Sequence, residues 1–435
     1  LAAPEQEIRR CVACGRRLYR PRSCGRCGGA FCTKHINPRA HGCLPPRPPS
    51  RYLTPRTGAV LLVVAAVLVA IGLYGQSRPR PGRVHLSWQN DPETTMTVVW
   101  WTSKAGPGRV RYGRVLLDRS VTATSEPFDD GYLNFAKIDG LEPDTKYRYK
   151  CGTKGEWSRT AAFKTAPEDD ASASFSFSFL CDSRSQREPR RKVADLVRRK
   201  GGDLIIDAGD LVSNGDLAQE WRDWFWDMRN TLSDVSFMPV VGNHEHNSEL
   251  YYKQFALPSG EEYYSFDYAN THFVALNTEI QLDGAQASWL EEDLRRARND
   301  PDIVWIVAFF HQPIFTASSH AGRQDVAAVW GPLMDRYHVD LVLAGHNHCY
   351  ERTSALLSNG TITDRGRNLV NPAGTVHVTA GGAGAPLYES RGAPFIEHAR
   401  SVYHFVRIEV NGRQMELRAM RDDGSTFDTL TVKKA

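Results

Sequence analysis

The stretch "DLIIDAGDLVSNGD", Asp203 to Asp216, decides the fold. Its apolar run climbs to a carboxylate, Asp210, and stops at Ser213, Asn214 and Gly215. A continuous apolar run reads as a buried strand, and an acid at its end is costly unless it is paired or coordinates a cation. Upstream, "FSFSFLCDSR" ends the same way at Asp182. Between them "EPRRKVADLVRRKGG" has proline near its start and glycine at its end, the marks of a short helix. Strand, helix and strand make a βαβ unit. Asp182 and Asp210 then sit at the C-terminal ends of adjacent strands, where open α/β sheets place their sites.

Three further runs repeat the pattern. "FMPVVGNHE" ends in Asn243 and His244, "IVWIVAFFHQP" in His311, and "VDLVLAGHNHCYER" in His346 and His348. One such ending is explained by a capping side chain or a satisfied core histidine. Five in chain order, as Asp, Asp, Asn/His, His and His-x-His, are not explained by packing. Mixed oxygen and nitrogen donors suit two first-row ions, iron, zinc or manganese, better than calcium.

In this order D-x, GD, GNHE, H and GHxH resemble the motifs of the metallophosphoesterase superfamily. The flanking "YYSFDYANTHFVALNTE", "QASWLEEDL", "HQPIFTASSH" and "GTVHVTAGGAG" narrow the resemblance to its purple acid phosphatase-like branch. It implies an α/β metallophosphoesterase sandwich over 172–433 with two metal ions. Asp210 would bridge them, Asp182 and His348 would join it on the first, and Asn243, His311 and His346 on the second. The implied reaction is hydrolysis of phosphate esters by a hydroxide bridging the two ions, whose charge lowers the pKa of water. His244 and His320 match the family's outer histidines, which bind phosphate oxygens and protonate the leaving group.

Two positions depart from the family. Ser213 stands where purple acid phosphatases have a tyrosine three residues after the bridging acid, so neither ferric iron nor the purple colour is expected to carry over. Arg184 stands where other branches have the histidine of D-x-H, leaving the first metal three identifiable protein ligands. Its forked guanidinium suits a substrate phosphate, with a surface salt bridge as the alternative. Cys181 and Cys349, beside two of the ligands, read as buried thiols, with a disulfide between them as the alternative.

Residues 84–167 read differently. "VHLSW", "MTVVWW", "GRVRYG", "TKYRYKCG" and "RTAAFKT" alternate in period two between turn signals, as a β-sandwich does. "GLEPDTKYRYKC" resembles fibronectin type III domains and, more narrowly, the N-terminal domain of purple acid phosphatases. Nothing in it looks catalytic.

The start of the chain carries other chemistry. Residues 1–57 hold 12 basic and two acidic side chains, while 58–435 hold 42 basic and 48 acidic. The net charge of +4 therefore belongs to one end and argues against a nucleic-acid partner. Six of nine cysteines lie between Cys11 and Cys43. With two histidines they give C-x2-C-x9-C-x2-C-x4-C-x2-H-x5-H-x-C, enough for two tetrahedral zinc sites. The pattern over 8–44 resembles the AN-one-type zinc finger. That implies Cys11, Cys14, Cys32 and His35 on one structural zinc, Cys24, Cys27, His41 and Cys43 on the other, and a protein partner for the finger. A Pro/Arg-rich linker follows over 45–57.

Between Arg56 and Arg78 no residue is charged, and "TGAVLLVVAAVLVAIGLYGQS" as a helix would span about 30 Å, a hydrocarbon core. We expect a transmembrane helix over 58–76. The charge asymmetry places the finger in the cytoplasm and the phosphoesterase outside it. The expected chain is thus multidomain: zinc finger, single membrane helix, β-sandwich, then catalytic domain. The competing expectation is a membrane-bound zinc-finger binding or sensor protein with a degenerate phosphoesterase domain. Metal content separates the two.

Overall fold

The computed structural model describes residues 10–18, 22–24, 27–37, 40–42, 81–153, 155–258 and 262–435. The chain forms two compact units, Leu1–Ser77 and Arg78–Ala435. In the first, Arg22–Ser23 pairs antiparallel with Ala30–Phe31, and Cys11, Cys24 and Phe31 form its small buried cluster. So little apolar surface cannot fold a unit alone. Cys43, the linker over 45–57 and the membrane helix expected over 58–76 lie outside the described residues. Among the described residues no helix is long and apolar enough to cross a membrane.

The second unit begins with the β-sandwich. Strands between Gly82 and Lys164 form two antiparallel sheets of four and five strands. Period-two burial drives it: in Lys146–Thr153, Tyr147 and Tyr149 are buried while Lys146 and Arg148 are exposed. The sandwich shares one hydrophobic core with the α/β portion after it in the chain, from Trp88 and Trp100 through to Trp221 and Phe225. Buried hydrogen bonds tie the join: Ser87 Oγ donates to Ala256 O at 2.7 Å and Tyr149 Oη to Ser233 O at 2.8 Å.

The catalytic part opens with β1 (Ser174–Leu180), α1 (Arg187–Lys200), β2 (Leu204–Asp207), α2 (Ala218–Leu232) and β3 (Ser236–Pro239). These three strands pair in parallel, as the βαβ reading requires. A second sheet holds β4 (Tyr264–Tyr268), β5 (Thr271–Ala275), β6 (Trp305–Phe310), β7 (Leu341–Ala344), β8 (Tyr350–Leu356) and β9 (Thr375–Ala380). Helices α3 (Ala285–Asn299) and α4 (Gln324–Arg336) bury Leu290, Leu294, Val326 and Trp330 against its outer face.

Strand–helix alternation stops at β7. The chain then returns as β10 (His404–Asn411), β11 (Gln414–Arg421) and β12 (Thr426–Lys433), two antiparallel hairpins. The first turns through Gly412–Arg413, a two-residue loop whose glycine takes φ 53°. β10 pairs antiparallel with β1, so the first sheet runs β3-β2-β1-β10-β11-β12, edged by Asn368–Val370. The two sheets pack face to face through aromatics; Phe177 meets Phe273 edge-on at 5.0 Å and Phe175 meets Tyr268 at 4.9 Å. Helices outside and sheets inside give a four-layer sandwich.

Candidate metal centre and active site

Each sheet contributes three of the expected ligands. Asp182, Asp210 and Asn243 follow β1, β2 and β3; His311 follows β6; His346 and His348 follow β7. All lie beyond strand C-termini, so the parallel strands aim them at one place. Asp182, Asp210 and His346 have φ of 58°, 56° and 64°. This left-handed region is costly for non-glycine residues and persists where surrounding structure enforces it. The motif glycines give the room. A Cβ on Gly345 would lie 1.8 Å from Cys181 Sγ, and one on Gly242 would lie 2.4 Å from Asp210 Oδ1.

Around Asn243 the donor set is one-sided. Its Oδ1 lies 3.0 Å from both His311 Nε2 and His346 Nδ1, and those two nitrogens are 3.3 Å apart. Asp210 Oδ1 is 3.4 Å from His311 Nε2. His311 Nδ1 donates to Ala208 O at 2.8 Å, which turns Nε2 toward Asn243 and Asp210. Burial, with the neighbouring His311, pushes His346 down to about 3, so its ring is neutral. Asn243 Oδ1, Asp210 Oδ1, His311 Nε2 and His346 Nδ1 thus converge from both sheets as oxygen and nitrogen ligand atoms. The residues fit a metal ion.

A second set stands beside it. Ligand atoms of Asp182, Asp210 and His348 lie within 4.8 Å of one another. Asp182 Oδ1 is buried without a hydrogen-bond partner, 3.4 Å from His348 Nε2. Its other oxygen accepts the His346 N–H and the Cys181 thiol, each at 2.8 Å. His348 Nδ1 donates to Pro386 O at 2.7 Å, which leaves Nε2 facing the acids. An orphaned carboxylate oxygen in a dry site fits a second cation. Arg184 enters here: its Nε is 3.2 Å from Asp210 Oδ2 and its Nη2 3.3 Å from His348 Nε2. The salt bridge expected at the surface is instead made to the central carboxylate.

Outside the ligands, His244 donates its backbone N–H to Asp210 Oδ1 at 3.0 Å. Its Nδ1 donates to Ser213 O at 2.8 Å. Ser213 thus acts through its main chain, while its hydroxyl lies 3.3 Å from that of Ser185. His320 lies on the His346 side, ring centroids 4.5 Å apart.

Two residues escape a reading of the sequence. Glu245, fully buried, accepts the N–H groups of Gly242, Asp210 and Leu211, each at 2.8 Å. It clamps the loop bearing Asp210, and its signal is the last letter of GNHE. Tyr388 stacks on His348 at 4.1 Å and lies 5.5 Å from His320; an isolated aromatic in "GGAGAPLY" is its signal. Cys181 and Cys349 are free and buried, with no disulfide between them, and burial pushes Cys349 up to about 12.

In the first unit, ligand atoms of Cys11, Cys14, Cys32 and His35 lie within 4.8 Å of one another, as do those of Cys24, Cys27 and His41. His35 Nδ1 is 3.3 Å from Cys32 Sγ and 3.8 Å from Cys11 Sγ; His41 Nε2 is 3.7 Å from Cys27 Sγ.

Residues 81–165 match the purple acid phosphatase N-terminal domain, and residues 183–350 match the calcineurin-like phosphoesterases. An uncharacterized protein of Mycobacterium tuberculosis is 30% identical over 370 residues, 70% of each chain. The chain belongs to the purple acid phosphatase-like calcineurin-like phosphoesterases. Human acid phosphatase type 7 is 27% identical to this phosphoesterase over 414 residues, 83% of this chain and 92% of that one. A purple acid phosphatase from yellow lupin seeds shares the fold, with a TM-score of 0.73 at 20% identity over 82% of this chain and 75% of that one. This phosphoesterase is a metal-dependent phosphoric ester hydrolase.

Proposed function

We propose that the protein is a membrane-anchored phosphatase, acting on phosphate monoesters or diesters through a dinuclear centre. Asp210 is the shared ligand, Asp182 and His348 complete one site, and Asn243, His311 and His346 complete the other. The observation that carries the reading is the convergence of Asn243 Oδ1, Asp210 Oδ1, His311 Nε2 and His346 Nδ1 from both sheets, beside the unpartnered Asp182 Oδ1. Iron, zinc or manganese bound there would lower the pKa of water and neutralise phosphate charge.

The chain's own residues do the rest. Arg184 offers its outer N–H groups to substrate phosphate oxygens while its Nε holds Asp210 and its Nη2 faces His348. His244, fixed through Nδ1, presents Nε2 as a donor to phosphate oxygens and to the leaving oxygen. His320 approaches from the opposite sheet. Tyr388 covers the face of His348 and excludes water from it. With Ser213 at the tyrosine position, no tyrosinate colour is expected from an iron-loaded enzyme.

The finger is proposed as a cytoplasmic, two-zinc partner-binding module, and 58–76 as a single membrane helix with the phosphoesterase outside. Their support is the ligand spacing and the uncharged run between Arg56 and Arg78. Protease added to intact cells should digest the phosphoesterase part and spare the finger; the reverse pattern overturns this topology.

The test of the catalytic reading is elemental analysis paired with hydrolysis of an aryl phosphate. Wild type should hold two ions beyond the finger's zinc. Asp210→Asn should lose those ions and the activity while keeping the circular dichroism of the fold. Full activity in Asp210→Asn, or metal in the finger alone, overturns it.

A further inference from the structure

A second site lies where the sandwich meets α2, lined by none of the metal-ligand candidates. There a cavity of about 480 Å³ has Trp101, Phe225 and Trp226 in its wall, with Arg83, Arg222 and Arg229. Trp226 is 58% exposed, unusual for so large an apolar group, and the Arg229 guanidinium lies over its ring at 4.2 Å. Next to the cavity, sharing Arg159 and Ala161 with it, runs a groove lined by Lys146, Arg148, Lys164, Arg198 and Arg199.

The surroundings are strongly basic. The acids in the two linings are Asp130, Asp203 and Asp234. Six of the cations are spoken for: Asp129 takes Arg83 and Arg222, Asp234 takes Arg159 and Arg198, Asp144 takes Lys164, and Asp195 takes Arg199. Lys146, Arg148 and Arg229 have no carboxylate partner among the described residues. This excess of positive charge stands out on a chain whose residues 58–435 carry 42 basic and 48 acidic side chains. An aromatic cavity joined to a basic groove is complementary to an amphipathic anion.

The chain's own connectivity says which one. Pro81, the first described residue of this unit, is part of the cavity wall. It follows the end of the apolar run at Gln76 by five residues. Even fully extended, five residues reach about 17 Å. If 58–76 spans a bilayer, the cavity is tethered at headgroup distance, where tryptophan and arginine are favoured.

We propose that the cavity and groove bind an anionic phospholipid of the membrane that anchors the chain. The glycerol and upper acyl carbons pack on Trp101, Phe225 and Trp226. The phosphate lies toward the shared wall at Arg159, between Arg229 and the Lys146–Arg148 pair. The proposal rests on the membrane-anchor reading above, and it orients the catalytic unit on the bilayer surface.

The test uses the full chain in nanodiscs of phosphatidylcholine alone or mixed with phosphatidylglycerol, read by hydrogen exchange over 82–87 and 218–233. Exchange should be about fivefold slower in the anionic discs, as local opening is suppressed by a bound ligand. Trp226→Ser with Arg229→Ser should remove the difference without changing aryl phosphatase activity. Lys146→Ser with Arg148→Ser, at exposed strand positions, should do the same and guards against misfolding of the first variant. Equal exchange in both discs, with the chain fully incorporated, overturns the proposal and leaves the anchor standing. The same slowing by soluble glycerol phosphate in neutral discs overturns the lipid assignment. A chain recovered outside the discs overturns the anchor, and the lipid site with it.

Discussion

The ring of His244 is held by the main chain of Ser213: its Nδ1 donates to the Ser213 carbonyl at 2.8 Å, and its Nε2 stands 3.8 Å from Asp210 Oδ2. The contact needs a carbonyl, not a hydroxyl. Ser213→Ala should therefore keep kcat within about twofold, while His244→Ala should lower it by about 10²–10⁴, the usual range for a lost general acid. Aryl phosphates with leaving groups of different acidity make the check. The loss in His244→Ala should grow as the leaving group becomes more basic; a loss independent of the leaving group would remove the proton-donor role.

Glu245 sets the loop that carries Asp210, accepting three backbone N–H groups at 2.8 Å. Glu245→Gln replaces one acceptor oxygen with a donor and leaves buried N–H groups unpaired. Each such group costs about 1–3 kcal/mol. Thermal unfolding should shift down and kcat/KM should fall together, with bound metal also reduced. Wild-type stability in this variant would show that water replaces the carboxylate.

Arg184 bridges Asp210 and His348. Arg184→Ala should raise KM and weaken inhibition by product phosphate by about tenfold to a hundredfold, from the loss of charge-assisted hydrogen bonds worth about 1.5–3 kcal/mol. Arg184→Lys keeps the charge but not the fork and should fall between. Inhibition constants for inorganic phosphate decide it; a fall in kcat with unchanged phosphate affinity would assign Arg184 to holding Asp210 alone.

A pH effect on stability is expected away from the metals. His272 is buried between Asp267 Oδ1 at 2.6 Å and Asp293 Oδ2 at 2.8 Å. Burial alone would lower its pKa, but hydrogen bonds and charge from the two acids win and raise it from 6.5 to about 9. The folded value lies above the unfolded one. The contribution is thus complete below about pH 6.5 and is lost as pH rises through about 9, on the order of 3 kcal/mol. Urea unfolding at pH 6 and pH 9.5 should show that loss, and His272→Gln should flatten it.

Much of the site is legible in the sequence because chemistry and secondary structure coincide there. Asp182, Asp210, His311 and His346 each follow an apolar strand, and the change of character is visible in one dimension. Their arrival from two different sheets is not. The strands bearing them look alike, and the division depends on β10 pairing with β1, a contact between residues more than 220 apart. Glu245 and Tyr388 escape for a related reason: they act on other site residues, not from the end of a strand. The cysteine and histidine clusters of the first unit are readable from spacing because tight turns keep paired cysteines local. Arg184 looks like a surface cation because sequence gives no depth.

The pairing of β10 with β1 has a consequence in time. During synthesis, all six metal-binding candidates have emerged by His348, yet β1 still lacks the neighbour at 404–411 on one side. Pairings so distant in sequence form late and slowly. The nascent chain should therefore stay unable to cleave esters until the hairpins from His404 to Lys433 have been made.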